Sequence, residues 1–543
     1  MDRGAKCRLT LWPMTQTLEI SSLLADGLAA LEVGAPDKAA SICQRLLQKA
    51  PDLTEGHFLV GLVALAKDDP RTAMRAFGSV TKLDPQHAAG WAQLARLMMK
   101  LGQPLRAEKA LARAAELKPA DPVVQDLIGV TYSLLGDQIE ACRWYQAAYG
   151  QDPHHPGYGV NLASSLVFLG ETDRAQEIIA SVLEVHPSHP QAHWLAASVT
   201  KETDPAVPAQ RLAAAQRLAS TQSAANPADA AFLGYAAGKG FEDLEAWDDA
   251  FEGFAVGAAA KRKTIQYDDQ KEQAFFDALA SVYTPQWLSS LRDGHNDPSA
   301  IFVVGQPRTG TTLIERIMTS HSAVESAGEL QQFGLSMVRL AEKPIADRFS
   351  AAAVEAVQGI DPAALGQEYM RTTAGFRKGA ARFVDKLPGN YIHVPWILAA
   401  LPAAKIIHVV RDPADSCFAS FKQLFADAYP HSYDLREMAR HHARYLSLMA
   451  IWRERFPGRF LDVAYEEIVR DTETQARRLI DYLGLAWEPA CLAFYRSEGA
   501  VATASAVQVR EKAHTRSVGR WRRYESHVAD MLQTLKNAGI SFE

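Results

Sequence analysis

Small and apolar positions in the first half of the chain recur with a fixed step. Pro51, Pro85, Pro119, Pro153 and Pro187 are each 34 residues apart. The same step links Gly27, Gly61, Ala95, Gly129, Ala163 and Ala197, then Ala39, Ala73, Ala107, Ala141 and Ala175, and then Gly102, Gly136 and Gly170. This pattern predicts an array of helical hairpins. A small residue on the first helix lets the second approach, and a glycine ends the first helix in a left-handed cap. The alanine lies at the helix crossing. The proline opens the next unit, where its missing N–H costs nothing. Phe232–Ala236 and Ala250–Phe254 predict one further hairpin, with Lys239–Asp243 as an insertion, and Glu202–Asn226 predicts an irregular helix. Such an array needs a polar cap at one end, and its other end is free to pack on a following domain.

After Pro298 the rhythm changes. Ile301–Val304 is a short apolar run closed by Gly305, the pattern of a buried parallel strand. Leu313, Ile314, Ile317 and Met318 then fall at helical spacing between Thr311 and Ser320. Arg382–Asp385, Lys405–Val410 and Arg459–Ala464 predict further strands, each followed by a helix-like segment. Strands alternating with helices predict a parallel α/β sheet.

The strand–loop–helix beginning at Ile301 is a phosphate cradle. Gly305 and Gly310 let the backbone wrap an anion, and the open N–H groups of the helix start point at it. Arg308 adds a cation, and Thr311 and Thr312 add hydroxyl donors. The G-x4-G spacing follows a Walker A loop as far as Gly310, but Thr311 stands where the phosphate-gripping lysine belongs. The loop therefore suits an anion without the usual NTPase apparatus.

Composition narrows the field. With 543 residues, 48% hydrophobic and 22% charged, the chain is an ordinary globular one of several domains. A net charge of −6 gives no global field for nucleic acid. The five cysteines (Cys7, Cys43, Cys142, Cys417 and Cys491) are odd in number and widely spaced. That supports neither a disulfide framework nor a metal site, and predicts a cytoplasmic protein. The most apolar stretch, Val394–Val410, contains Pro395, Pro402, Lys405 and His408 and is no membrane span. His57, His87 and His193 read as surface or hairpin-packing residues.

The 34-residue unit resembles the tetratricopeptide repeat (TPR) over roughly residues 17–200. In the second half, Pro307–Leu313, followed by Ser320-His-Ser322 and Gly328-Glu329-Leu330, resembles the 5′-phosphosulfate loop of the sulfotransferase family, above all its tyrosylprotein branch and TPR-linked bacterial relatives. The resemblance runs through residues 300–525. It implies a TPR α-solenoid followed by a P-loop-like α/β sulfotransferase domain. The domains would be an N-terminal extension (1–16), TPR repeats (17–265), a connecting helical segment (266–298) and the sulfotransferase domain (299–543). The donor would be PAPS (3′-phosphoadenosine 5′-phosphosulfate) and the product PAP, with no metal.

The residue roles follow from the same resemblance. Gly305, Pro307, Arg308, Thr309, Gly310, Thr311 and Thr312 would hold the donor's 5′ end. Glu329 would be the base, the alternative being an N-cap glutamate of the next helix. Lys386, in Asp385-Lys-Leu-Pro388, would face the transferring sulfonate with Arg308 and Ser505. Arg411, in Val410-Arg-Asp-Pro413, would grip the 3′-phosphate. Tyr465 would pack on the adenine, and Arg520 and Trp521 would form a C-terminal clamp. One departure stands out: the family's serine eight residues after Arg411 is replaced by Ala419, with Ser420 next. Ser420, Ser416, or Arg411 with the backbone would then serve.

The acceptor would be a protein tyrosine presented by the TPR groove, or a saccharide, lipid or small-molecule hydroxyl. Residues 331–380, on the acceptor side, carry no readable pattern. The repeats offer either a protein-binding groove or a homodimerisation and spacer element. The rival readings are a TPR interaction protein with a degenerate sulfotransferase fold, and a P-loop kinase needing ATP and Mg²⁺.

Overall fold

The computed structural model describes residues 14–101, 103–220, 227–343, 345, 347–425, 428–496 and 508–543. The chain divides into two compact units between Ser165 and Leu166.

The helices up to that division are α1 (Met14–Glu32), α2 (Pro36–Lys49), α3 (Thr54–Ala66), α4 (Pro70–Leu83), α5 (Ala88–Lys100), α6 (Pro104–Glu116), α7 (Pro122–Leu134), α8 (Gln138–Gln151) and α9 (Pro156–Leu169), inside which the division falls. The predicted hairpins are present. The alanine column lies at the crossings, with Ala39, Ala73, Ala107 and Ala141 fully buried. A Cβ on Gly61 would stand 2.4 Å from the Phe77 ring, and one on Gly129 would stand 2.7 Å from Tyr145. Gly136 has a φ of +86, the left-handed turn expected after a first helix, while Gly102 lies outside the described residues.

The proline column has a different role from the predicted one. Pro51, Pro85 and Pro119 lie in the turns before α3, α5 and α7, not at their first positions. Each offers its carbonyl to the side chain six residues on: His57 Nε2 lies 2.7 Å from Pro51 O, Trp91 Nε1 donates to Pro85 O at 3.1 Å, and Gln125 Nε2 donates to Pro119 O at 2.9 Å. The helix-opening role falls to other prolines, among them Pro36, Pro70, Pro104 and Pro122. The physical reason is that a helix start tolerates proline, whereas the longer turn between hairpins needs a fixed carbonyl to close on.

The second unit continues with α10 (Thr172–Val185), α11 (Pro190–Val199), α12 (Ala206–Ser220), α13 (Pro227–Asp243), α14 (Trp247–Arg262), α15 (Asp269–Val282) and α16 (Pro285–Ser290). Then come β1 (Ala300–Gly305), α17 (Thr311–Thr319), β2 (Val324–Gly328), α18 (Gln332–Leu340), α19 (Ala351–Ala356), α20 (Pro362–Thr372), β3 (Arg382–Asp385), α21 (Val394–Ala400), β4 (Lys405–Val410), α22 (Pro413–Phe421), α23 (Leu435–Arg455), β5 (Leu461–Ala464), α24 (Tyr465–Arg470), α25 (Thr472–Leu483) and α26 (Ala529–Asn537). The strands form one parallel sheet in the order β2-β3-β1-β4-β5. Its centre, β1, is buried throughout. Phe302 and Val304 point into one core with α15, α20 and α23, and Ile301 and Val303 into another with α17 and α25. The sheet is thus covered on both faces, as a parallel sheet must be. β2 was not among the expected strands, because Val324-Glu-Ser-Ala-Gly328 has no continuous apolar run and, among the described residues, pairs only with β3.

Two expectations change here. Lys239–Asp243 is the last turn of α13, not an insertion, and Ala206–Ser220 is a regular helix. Likewise, the compact units do not part at residue 265. Tyr235 and Phe254 of α13 and α14 share a core with Phe418, Phe421 and Tyr524, and Phe275 and Phe276 of α15 lie in the sheet core. The apolar faces of these helices are covered by the sheet region, so the segment at 266–298 is a layer of that unit.

Four glycines let α13 and α14 touch. A Cβ on Gly234 would stand 2.6 Å from Gly257 Cα, and one on Gly253 would stand 2.5 Å from Gly238 N. Backbone cannot yield as a side-chain tip can. Gly234→Val is therefore expected to destabilise the second unit by about 3 kcal/mol or more, seen as a lowered Tm.

Candidate active site

The loop from Gly305 to Thr312 leaves the C-terminal edge of β1, where parallel α/β sheets take ligands. Gly305, Arg308 and Gly310 have φ values of +149, +64 and +99. A Cβ on Gly305 would stand 2.6 Å from Val409 O, and one on Gly310 would stand 2.6 Å from the Tyr465 ring. Arg308 holds left-handed backbone without being glycine, a strain of about 1 kcal/mol that gathers at ligand-gripping loops. Thr309 Oγ1 donates to Gln306 O at 2.8 Å and closes the turn. Gly310 is the N-cap of α17 and supplies no side-chain cap to its first turn.

Two arginines meet at this loop. Arg411, directly after β4, donates to Arg308 O at 2.9 Å and to Ser517 O, and its guanidinium lies 4.8 Å from the Tyr465 ring centre. Burial, followed by the like charge of Arg411, pushes the Arg308 guanidinium down to about 10. A bound anion would relieve that repulsion. Tyr465 opens α24 and also packs on Gly310, so it borders the loop.

The serine question has a helical answer. α22 places Ser416 and Ser420 four residues apart on one buried face, while Ala419 is only half-buried. Ser420 Oγ donates to Ser416 O at 3.0 Å and, more weakly, to Pro307 O at 3.4 Å. Ser420 is therefore the serine that reaches the loop, and the Ser416 hydroxyl is buried without a partner among the described residues.

A second group forms at the neighbouring strand ends. Glu329 follows β2 and Lys386 follows β3, whose end is tied back by the bond from Lys386 N to Gly328 O at 2.9 Å. The Lys386 ammonium bonds the Glu329 carboxylate, with the lysine side chain 1% and the glutamate side chain 41% exposed. α18 has Gln331 at its cap, so Glu329 is not a helix cap. Glu315 of α17 stands behind this pair; burial pushes its carboxyl up, and Lys386 opposes that shift.

Among the other expected residues, Arg520 pairs with Glu242 at 3.1 Å. Trp521 has its indole in the core, donating to Glu543 O at 3.2 Å. Ser505 lies outside the described residues.

With this geometry in place, comparison with known proteins decides the family. Residues 298–489 match the sulfotransferase family, and residues 64–129 and 160–200 match tetratricopeptide repeats. This chain carries a sulfotransferase domain behind tetratricopeptide repeats. An uncharacterized protein of Aquifex aeolicus is 30% identical over 418 residues, covering 73% of this chain and 52% of that protein, so the chain spans about half of that relative's length. A Caenorhabditis briggsae protein, provisionally named a protein-tyrosine sulfotransferase, is 23% identical over 231 residues, covering 42% of this chain and 81% of that protein. The sulfotransferase domain of the Synechococcus PCC 7002 olefin synthase aligns at 18% identity and a TM-score of 0.32, covering 47% of this chain and all of that one. No helix among the described residues is long and apolar enough to cross a membrane.

The sulfotransferase domain also contains polar residues that no spacing pointed to. Asp415 accepts from Gly519 N at 2.6 Å and Trp521 N at 3.1 Å, holding the C-terminal segment against α22. Gln306 is fully buried, with its amide 3.3 Å from His441 Nε2. Glu272, His431 and His441 offer three ligand atoms within 4.8 Å of one another. However, the two imidazoles stack at 3.4 Å and 11°, so their in-plane lone pairs cannot converge on one ion, and Arg444 and Tyr267 use the other carboxylate oxygen. A cavity of about 320 Å³, bordered by Phe276, Arg440, Arg444 and Thr534, contains no residue of the loop.

Asp385 sits just before Lys386, fully buried, and accepts from Tyr369 OH at 2.9 Å. Burial pushes its carboxyl up to about 8 from 3.8, although the Tyr369 bond works against this. An acid with a raised folded value stabilises the fold below its unfolded value, and that contribution is lost as pH rises through the folded one. Thermal melts should therefore weaken from pH 3.8 towards about 8. Asp385→Asn should flatten that slope, with its largest gain at the alkaline end.

Proposed function

We propose that the protein transfers the sulfuryl group of PAPS to an acceptor hydroxyl and releases PAP. The observation that carries this reading is the loop itself: a strained Arg308, a second arginine beside it, an uncapped helix start, and threonine in place of the NTPase lysine.

In this reading the acceptor oxygen attacks sulfur in line as its proton passes to Glu329, and the bond from sulfur to the 5′-phosphate oxygen breaks. Arg308 and Lys386 neutralise charge on the sulfonate and the leaving phosphate, so positioning and electrostatics supply most of the rate. Ser505 joins them by family resemblance. Lys386 already bonds Glu329, so entry of the sulfonate draws the lysine to the donor and frees the carboxylate for the acceptor proton. Arg411 and Ser420 take the donor's 3′ side, and Tyr465 takes the adenine.

The acceptor we propose is a protein tyrosine, with the repeats presenting the peptide. The support is the name of the Caenorhabditis briggsae relative and the repeats ahead of the domain. A cytoplasmic location is in keeping with the buried thiols Cys43, Cys417 and Cys491. The test is incubation of the purified chain with labelled PAPS and tyrosine-, serine- and saccharide-containing acceptors, with mass spectrometry of the product. Label on tyrosine oxygen supports the full reading. Label on another hydroxyl keeps the sulfotransferase and removes the tyrosine.

A further inference from the structure

One residue of the loop has no part in the expected roles. Gln306 directly follows β1, and its side chain is fully buried. Phe302 and Val304 of β1 face the core shared with α15 and α23, and Gln306 continues their alternation. Its amide nitrogen lies 3.3 Å from Nε2 of His441 in α23. His441 Nδ1 in turn lies 2.9 Å from Oε1 of Glu272 in α15. An ionised carboxylate only accepts, so Nδ1 carries the proton and donates to it. In the neutral ring Nε2 then keeps its lone pair, and the Gln306 amide N–H donates there. A charged ring would set Nε2–H against that amide N–H. The Gln306 amide oxygen is buried without a partner among the described residues.

The surroundings hold these three side chains in one arrangement. Arg444 donates to Glu272 Oε2 at 2.6 Å, and Tyr267 OH donates to the same oxygen at 2.8 Å, so the carboxylate is an acceptor on both sides. His431 stacks on His441, and its Nδ1 is 3.5 Å from Glu272 Oε1. Burial, followed by His441, pushes the His431 imidazole down to about 4, so it stays neutral beside its neighbour. Phe276 of α15 meets the His441 ring edge to face at 5.8 Å, and Tyr391 OH stands 3.5 Å from His441 Nε2. The imidazole is thus fixed by ring contacts as well as by its bonds. At the other end is the loop: Thr309 Oγ1 donates to Gln306 O, and Pro307 and the left-handed Arg308 come next.

We propose that His441, oriented by Glu272, is a positioning residue for the donor: it holds Gln306, and through Gln306 it sets the backbone from which Arg308 and the loop N–H groups face the 5′-phosphosulfate. This rests on the reading of the protein as a PAPS-dependent sulfotransferase. It gives a role to a carboxylate and an imidazole that lie outside the expected donor contacts, and it ties the loop to α15, a helix outside the sheet. A loop held in place before the ligand arrives loses less freedom on binding, so the tie shows as donor affinity.

The test begins with Gln306→Met, which keeps the volume and removes the amide. Its melt should be no lower than that of the wild type, because a buried unpaired oxygen leaves with the amide. Calorimetry should nonetheless show PAP bound about 3- to 10-fold more weakly, the loss of one neutral hydrogen bond. His441→Phe should cost PAP as much, and His441→Gln, whose amide oxygen can accept from Gln306, should recover most of that loss. Gln306→Met combined with His441→Phe should bind PAP as either single variant does, since both remove the same link. A merely structural role would lower the melt and leave the PAP affinity of the folded protein unchanged. Unchanged PAP affinity in Gln306→Met, or losses that add in the double variant, overturns the inference while leaving the sulfotransferase intact. A wild-type chain that binds no PAP at all removes the donor reading, and this inference with it.

Discussion

Glu329→Gln is expected to lower kcat by about 10²- to 10⁴-fold, the contribution of a positioned general base, and to leave PAP affinity unchanged. The substitution keeps the shape and removes only the proton acceptor. Glu329 follows β2, an edge strand of the sheet, whereas Arg411 follows β4 on the other side of β1, so donor binding has no reason to change. Single-turnover rates with saturating PAPS, beside PAP titrations, check both halves. A variant that transfers sulfate at the wild-type rate removes Glu329 from the chemistry, however close Lys386 stands to it.

Lys386→Met is expected to lower kcat by about 10²- to 10³-fold, the cost of losing one preorganised charge at the transferring group. Here the structure adds an interaction beyond the resemblance. Lys386 is buried and is the cation bonded to Glu329, and it also offsets Glu315. Its loss would leave two carboxylates near each other without that cation. The combined variant should therefore lose much less than the product of the single losses, because residues acting as a unit are not additive. Full additivity would show two independent groups and would contradict the paired arrangement.

How far the sequence reached depended on whether a residue's role was local. Pro51 and its column announced the repeat, because a 34-residue step is visible in one chain. What those prolines do was not visible, since their carbonyls are held by side chains six residues on. β1 and its loop were legible because apolar run, glycine and helix start are contiguous. β2 was not, because an edge strand with one partner needs no apolar pattern. The choice between Ser416 and Ser420 turned on α22 being a helix that brings one face to the loop. Glu242 and Asp415 were invisible for a different reason. Their partners, at 422, 520 and 519–521, are distant in sequence, and no spacing encodes a contact between layers.

If the loop from Gly305 to Thr312 holds a phosphosulfate donor, PAP binds there without a metal ion. Calorimetric titration of the purified chain with PAP in the absence of Mg²⁺, and with ADP in its presence, tests it most directly. The expected result is saturable PAP binding that Arg308→Ala weakens by about 10- to 100-fold, and no comparable binding of ADP. Tight Mg²⁺-dependent ADP binding with none of PAP would contradict it.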